Sequence, residues 1–317
     1  MSSGKPPTIL ALIDLTRILY FGPAVASAFL LGVLLAMPDW PLWMPFGQIM
    51  FVGIVGFSAG FVLNDWMDRE ADKVTLAARG QYPEYATQLR RERPLTGTRP
   101  IAAGIIGPTS ALLFALALIA AAGAVALTLP APHRWYVLAG LLFGNAAETL
   151  YCVVKRKQKR FPFATFLSAA LVALTAPVGY LAVRRPDLTA LLLFASLYAW
   201  EVGFNQLHDT VDAENDRRRG IFTLSATFGL RFVAVWCLTL STAVTVCFFA
   251  VWRTSGSGVA MLAGLCLAAA LLLGTDALLL ARPKLRLASA AIGIHQLFII
   301  IVVVATVVDS ATRWVAA

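Results

Sequence analysis

Runs of about twenty apolar residues recur from one end of this chain to the other, and each can cross the roughly 30 Å hydrocarbon core of a bilayer as an α-helix. Nine spans are predicted, over 15–37, 45–63, 101–129, 134–153, 162–183, 188–206, 225–250, 257–281 and 289–308. The second is short, and the fourth carries Asn145 and Glu148. Hydrophobic residues make up 59% of the chain and charged residues 14%, with a mean hydropathy of +0.76. An ordinary soluble domain, in which about a quarter of residues are charged, is thereby excluded. The strand alternation of an outer-membrane barrel is absent as well. The fold class expected is an all-α polytopic membrane protein. The N-terminal stretch lacks a compact apolar segment ending in a small-residue cleavage site, so no separable signal peptide is expected.

An odd number of spans puts the termini on opposite sides, and the basic residues choose between them. With the N-terminus in the cytoplasm, the cytoplasmic segments hold 19 of the 26 Lys and Arg residues and the external segments five. The bias comes from 64–100, KRKQKR at 155–160, RRR at 217–219 and RPKLR at 282–286. Topology and anionic lipid account for the net charge of +9, so no nucleic-acid partner is implied. The cysteines at 152, 237, 247 and 266 have neither disulfide-like nor metal-ligand spacing.

Acidic residues are distributed differently. NDWMDREAD at 64–72 follows the second span and HDTVDAENDRRRG at 208–220 follows the sixth, on the same face of the membrane. Asp65, Asp68 and Asp72 are separated by three and four residues, as are Asp209, Asp212 and Asp216. On a helix continuing from its span, such spacing puts three carboxylates on one stripe, where they repel. Divalent cations offset that repulsion. Oxygen ligands of this kind suit Mg²⁺, which keeps part of its water shell and is completed by substrate phosphate oxygens. Two facing stripes would hold a diphosphate between them; the plainer alternative is acidic loops that end membrane helices and balance Lys and Arg.

A phosphate site also needs cations. Tyr151 and Lys155 stand one helical turn apart at the end of the fourth span, making Lys155 the leading candidate for a diphosphate contact and Tyr151 a hydrogen-bond donor. Arg156, Lys157, Lys159 and Arg160 read as topogenic or lipid-facing charges. Arg17 either snorkels to the interface or points into the bundle. Arg93, in RERPLTGTRP at 91–100, either returns toward the carboxylates or belongs to a surface turn. Polar groups at membrane depth tend to face a bundle interior, which draws in Asn145, Glu148, Glu201 and Asn205. Glu201 and Asn205 share a face, and bind an acceptor hydroxyl, accept a proton or pair between helices. Asp276 reads as structural, His295 as isolated, and His208 lacks a second ligand of similar quality. Pro177 is expected to kink the fifth span.

The order NDWMDREAD, RPLTG, LYCVVKR and HDTVDAENDRRRGIFTLSATFG resembles the UbiA family of intramembrane prenyltransferases over essentially the whole membrane domain. Asn64, Asp65, Asp68 and Asp72 match its NDxxDxxxD motif, Tyr151 and Lys155 its YxxxK motif, and Asp212 and Asp216 its DxxxD motif, with Asp209 preceding. One departure is the connection after the first motif, where Arg93 lies 21 positions beyond Asp72. Within this enlarged loop at 73–100, the segment QYPEYATQLRRER reads either as a short amphipathic cap or as a tolerated surface insertion.

The resemblance implies a single domain over 1–317, with nine helices around a central cavity capped by cytoplasmic loops. It implies transfer of an isoprenyl group from an isoprenyl diphosphate to a small-molecule or lipid acceptor. Mg²⁺ would be held by Asn64, Asp65, Asp68 and Asp72 on one side and Asp209, Asp212 and Asp216 on the other, with Lys155, Arg17 and Arg93 on diphosphate oxygens. The acceptor, the isoprenoid length and the oligomeric state are left open. The expected place is a prokaryotic inner membrane, in contact with membrane lipid, with the N-terminus and site loops cytoplasmic and the C-terminus external. Two further readings remain at this level: a Mg²⁺-dependent isoprenoid cyclase, sharing the ionisation step, and a cation-coupled transporter. The transporter lacks the clear broken-helix repeats that would favour it.

Overall fold

The computed structural model describes residues 8–37, 43–77, 89–157, 161–220 and 222–316; side chains at 43–45, 156, 212, 215, 218, 219 and 316 lie outside that description. The described residues form α1 (Thr8–Thr16), α2 (Ile18–Ala36), α3 (Trp43–Ala77), α4 (Pro108–Leu127), α5 (His133–Lys157), α6 (Phe163–Ala173) and α7 (Thr175–Leu181). They continue with α8 (Leu188–Arg219), α9 (Leu224–Phe228), α10 (Leu230–Ser255), α11 (Val259–Ala281) and α12 (Leu285–Ala316). Nine helical stretches among them are long and apolar enough to span a membrane, and the chain is an integral membrane protein with an all-α fold.

Local chemistry explains where the helices differ from the apolar runs. The first span begins at Thr8 and is interrupted at Arg17, whose backbone is left-handed (φ 49°, ψ 20°). Residues 101–107 form turns rather than helix. Gly104 sits there at φ 67°, and α4 starts only where Pro108 supplies a first-turn residue that needs no N–H partner. The fifth span breaks at Leu174, because Pro177 cannot donate to the carbonyl four residues earlier. α8 opens on Asp187, whose carboxylate accepts from the Ala190 N–H at 3.1 Å, and closes on Gly220 at φ 65°.

The helices bury two main apolar clusters. One joins Leu31, Tyr180, Leu197, Phe248 and Phe298 across α2, α7, α8, α10 and α12; the other joins Val33, Ile49, Phe57, Leu141 and Val178 across α2, α3, α5 and α7. α12 packs on both α2 and α8, so the last span meets the first. In lipid, close packing rather than water exclusion drives helix association. Gly32 and Gly179 permit the tightest contact: a Cβ at either would strike the backbone of the opposite helix. Outward residues such as Leu113, Leu142 and Phe143 are exposed and suit acyl chains.

α3 and α8 both run on past their apolar portions, through NDWMDREAD and HDTVDAENDRRR, as unbroken helix. That continuity puts the acidic stripes on rigid helix ends. Residues 78–88 of the enlarged connection lie outside the described residues, and with them most of the expected amphipathic cap; a helical turn at 89–92 leads back to the site.

Candidate active site

At about 100° per residue, Asn64 and Asp68 stand roughly 40° apart on α3, while Asp65 and Asp72 stand roughly 20° apart beside them. The two pairs meet different neighbours. Arg17 Nη2 donates to Asp65 Oδ1 at 2.8 Å, and Arg93 Nη2 donates to Asp65 Oδ1 at 2.7 Å and Oδ2 at 2.5 Å. Arg99 Nη1 donates to Asp72 Oδ2 at 2.8 Å and lies 3.6 Å from Asp65 Oδ1. Asp65 is 2% exposed and Arg93 is fully buried. Burial pulls the Arg93 pKa below the ordinary arginine value, against the attraction of Asp65.

Two local devices deliver these arginines. The left-handed residue between α1 and α2 is Arg17 itself, in a conformation costing a non-glycine residue about 1–2 kcal/mol. The guanidinium turns inward, 4.8 Å from the Phe61 ring centroid. Arg93 enters through RPLTG, where Gly97 at φ 61° returns its N–H to the Arg93 carbonyl at 2.8 Å. Buried Asp14 pins that turn: its carboxylate accepts from Leu95 N–H at 3.3 Å and from both the N–H and Oγ1 of Thr96 at 2.6 Å. Glu92 accepts from Arg93 Nη1 at 3.1 Å and lies 4.0 Å from Arg17 Nη1. Asp14, Glu92, Thr96 and Arg99 were not legible as site residues; the only available signal was the crowding of charge around RPLTG.

The other side of the stripe meets α5. Asn64 Nδ2 donates to Glu148 Oε1 at 2.8 Å and to Cys152 Sγ at 3.3 Å. Lys155 Nζ stands 5.3 Å from the Tyr151 ring centroid, within electrostatic reach of Asp68 on α3 and Asp209 on α8. The two acidic helix ends therefore approach one ammonium. Asp209 is partly buried and Asp216 buried on α8; Asp212 lies on the same helix, with its side chain outside the described residues.

Deeper residues form a second polar layer. Asn145 Nδ2 donates to Leu141 O at 2.9 Å and Gly56 O at 3.3 Å, tying α5 to α3, while its buried Oδ1 has no hydrogen-bond partner. Asn205 Nδ2 donates to Ser168 Oγ at 3.4 Å, linking α8 to α6, and buried Glu201 shares a hydrogen bond with Asn205. Arg17 and Arg93 both point into the bundle. His295, expected to be isolated, is not: its Nε2 lies 3.2 Å from both Asp276 carboxylate oxygens, and Ser241 Oγ donates to Asp276 Oδ2 at 2.6 Å. The pairing was invisible because the three residues come from α10, α11 and α12 and meet only when those helices pack.

The model of the UbiA prenyltransferase family matches residues 25–308. The chain belongs to the UbiA family. This UbiA protein is 30% identical over 203 residues to a 4-hydroxybenzoate octaprenyltransferase of Ralstonia nicotianae, covering 60% of each chain. It is 29% identical over 207 residues to a digeranylgeranylglyceryl phosphate synthase of Pyrococcus abyssi, covering 65% of each. The match thus spans about 60% of the length of the first of these curated relatives. In fold it is similar to a solved digeranylgeranylglyceryl phosphate synthase, with a TM-score of 0.74, 19% identity, and 96% of this chain and 99% of the other covered. A UbiA homologue from Archaeoglobus fulgidus, solved with DMAPP and Mg²⁺, gives a TM-score of 0.58 at 15% identity, over 92% of this chain and 99% of that one.

Among the described residues no three His, Cys, Asp or Glu side chains lie close enough together to hold a metal ion. The donor chemistry nevertheless fits Mg²⁺. Asn64, Asp68, Asp209 and Asp216 offer hard oxygen atoms from two rigid helix ends, a set that Mg²⁺ completes with water and phosphate oxygens.

Proposed function

We propose that this UbiA protein transfers an isoprenyl group from an isoprenyl diphosphate to an acceptor, in a Mg²⁺-dependent reaction at the cytoplasmic mouth of a cavity within one membrane domain. The observation that carries the reading is the approach of the α3 and α8 acidic ends to the single Lys155 ammonium. An anionic group seated between carboxylates needs metal on one side and protein cations on the other, and both are provided for. The Ralstonia nicotianae relative is named an octaprenyltransferase, which favours transfer over cyclisation or cation transport.

Asn64 and Asp68 on α3, with Asp209, Asp212 and Asp216 on α8, are the residues proposed to hold Mg²⁺. When bound, the ion acts as a Lewis acid that neutralises charge developing on the leaving diphosphate. Lys155 adds a fixed positive charge where that oxygen charge appears, and Tyr151 keeps the ammonium in place. The allylic C–O bond breaks with its electron pair going to the diphosphate. The acceptor nucleophile then bonds to the allylic carbon and gives up a proton. Glu201 and Asn205, on the span before Asp209, would orient an acceptor hydroxyl or take that proton, with Asn145 and Glu148 on α5 as the further acceptor-side residues. Trp200 and Phe204, stacked with centroids 4.9 Å apart on α8, offer aromatic faces near the same span.

The basic segments support a cytoplasmic N-terminus and site, an external C-terminus and a bacterial inner membrane, since the named 4-hydroxybenzoate relatives are bacterial. The test is a panel assay in membranes: isoprenyl diphosphates of several lengths, with and without Mg²⁺ and candidate aromatic or lipid acceptors, followed by mass analysis. Prenylated product should appear only with Mg²⁺ and vanish in Asp68→Asn and Asp212→Asn, with insertion intact. Full turnover in both variants would sink the metal assignment; a cyclised product without acceptor would replace transfer.

A further inference from the structure

We infer that Asp65 is a positioning residue rather than a metal ligand: it clamps Arg17 and Arg93 in place beside the diphosphate site, while Asn64 and Asp68 face the metal. The inference rests on the proposed prenyl transfer and divides the labour within NDWMDREAD. A carboxylate has about four lone-pair directions. At Asp65, three hydrogen bonds from two guanidinium groups occupy both oxygens, and Arg99 stands 3.6 Å from Oδ1. To ligate Mg²⁺, Asp65 would have to release a fully buried Arg93, leaving it with the Glu92 Oε2 contact at 3.1 Å. An unpaired buried guanidinium is strongly unfavourable.

The bonds also join segments far apart in the chain. Arg17 comes from the left-handed break between α1 and α2, Arg93 from the turn that ends the enlarged connection, and Asp65 from the rigid end of α3. Asp14 holds the same turn from α1 by three hydrogen bonds. Asp65 and Asp14 together therefore fix how Arg17 and the 89–100 strap sit against α3. Arg93 is sealed beneath this contact and serves as the clamp's core, not as a diphosphate contact. Arg17 is partly exposed, its Nε has no hydrogen-bond partner, and only Nη2 is spent on Asp65. It is the member of the pair that can offer N–H groups to an anion.

The full-length protein in nanodiscs tests this with two probes: Mn²⁺ binding, as a reporter of the metal site, and Mg²⁺-free binding of inorganic pyrophosphate. Asp65→Asn is expected to leave Mn²⁺ affinity within about twofold and to weaken pyrophosphate at least tenfold. Asp68→Asn should do the reverse, weakening Mn²⁺ at least tenfold. Asp65→Asn strands Arg93, so Asp65→Asn/Arg93→Met is made alongside it. The double variant should fold at least as well as the single one, and its Mn²⁺ affinity is the decisive reading if the single variant does not insert. Mn²⁺ affinity falling tenfold in Asp65→Asn or in the double variant, or failure of both to fold, overturns the clamp. Wild-type protein that binds neither probe overturns the prenyl-transfer reading and the clamp with it. Loss of the clamp alone shows as Asp65→Asn behaving like Asp68→Asn in a protein that otherwise binds both.

Discussion

Acids in two regions of the same bundle behave differently. At the extended ends of α3 and α8, Asp65, Asp68, Asp72 and Asp209 face arginines and a lysine drawn from the α1–α2 break, α5 and the 89–100 strap. Among α10, α11 and α12, Asp276 faces Ser241 and His295 and belongs to a buried hydrogen-bonded knot. The first group gathers charge of both signs at the end of the membrane, where an ionic substrate can enter. The second ties three helices together at membrane depth. An intramembrane carboxylate is by default a functional candidate; what separates the two cases here is the company it keeps. Guanidinium and ammonium partners carry the charge that pairs with a phosphate, whereas a serine and an imidazole held by packed helices are spent on Asp276.

Substitutions in the two groups should therefore split cleanly between turnover and stability. The largest effect is expected for Asp68→Asn, with kcat for prenyl transfer falling on the order of 1000-fold while the unfolding temperature is unchanged. Lys155→Met comes next, losing on the order of 100-fold in kcat with protein that still folds; a change confined to the KM of the acceptor would move Lys155 away from the leaving group. Asp276→Ala should act through stability alone, by about 3 kcal/mol, because Ser241 and His295 lose their shared acceptor in a buried place. Chemical or thermal unfolding in detergent measures that loss, and turnover per folded molecule should stay within about threefold. Ser241→Ala is the mildest, about 1 kcal/mol, the value of one buried hydrogen bond. If Asp276→Ala instead abolished turnover in folded protein, the contrast between the groups would collapse.

Much of the fold was readable from apolar runs, whose lengths mark membrane spans regardless of how they pack. Boundaries were readable only in part. α3 and α8 extend beyond their apolar portions because acidic residues at helical spacing continue a helix already nucleated in the membrane. The turn at 101–107 was mistaken for helix because its apolar residues outweigh Gly104 and Gly107, and the flanking Pro100 and Pro108, in a hydropathy reading. Within the site, Tyr151 and Lys155 lie together as one turn of helix requires, whereas Asp14, Glu92 and Arg99 gave no local sign of their roles.

Sequence alone marked nine stretches long and apolar enough to cross a membrane, the number found among the described residues, and put the carboxylates in two helical stripes, since span length and side-chain spacing are properties of single helices. It did not decide which carboxylate meets which cation. Asp65 lies 48 residues from Arg17 and 28 from Arg93, and neighbouring positions on α3 turn toward different helices. Only packing brings the left-handed break at Arg17 and the strap at 89–100 against one edge of the α3 stripe and α5 against the other. The partition of NDWMDREAD into an arginine side and a lysine side is therefore a tertiary fact, set by which segments surround a helix rather than by the residues along it.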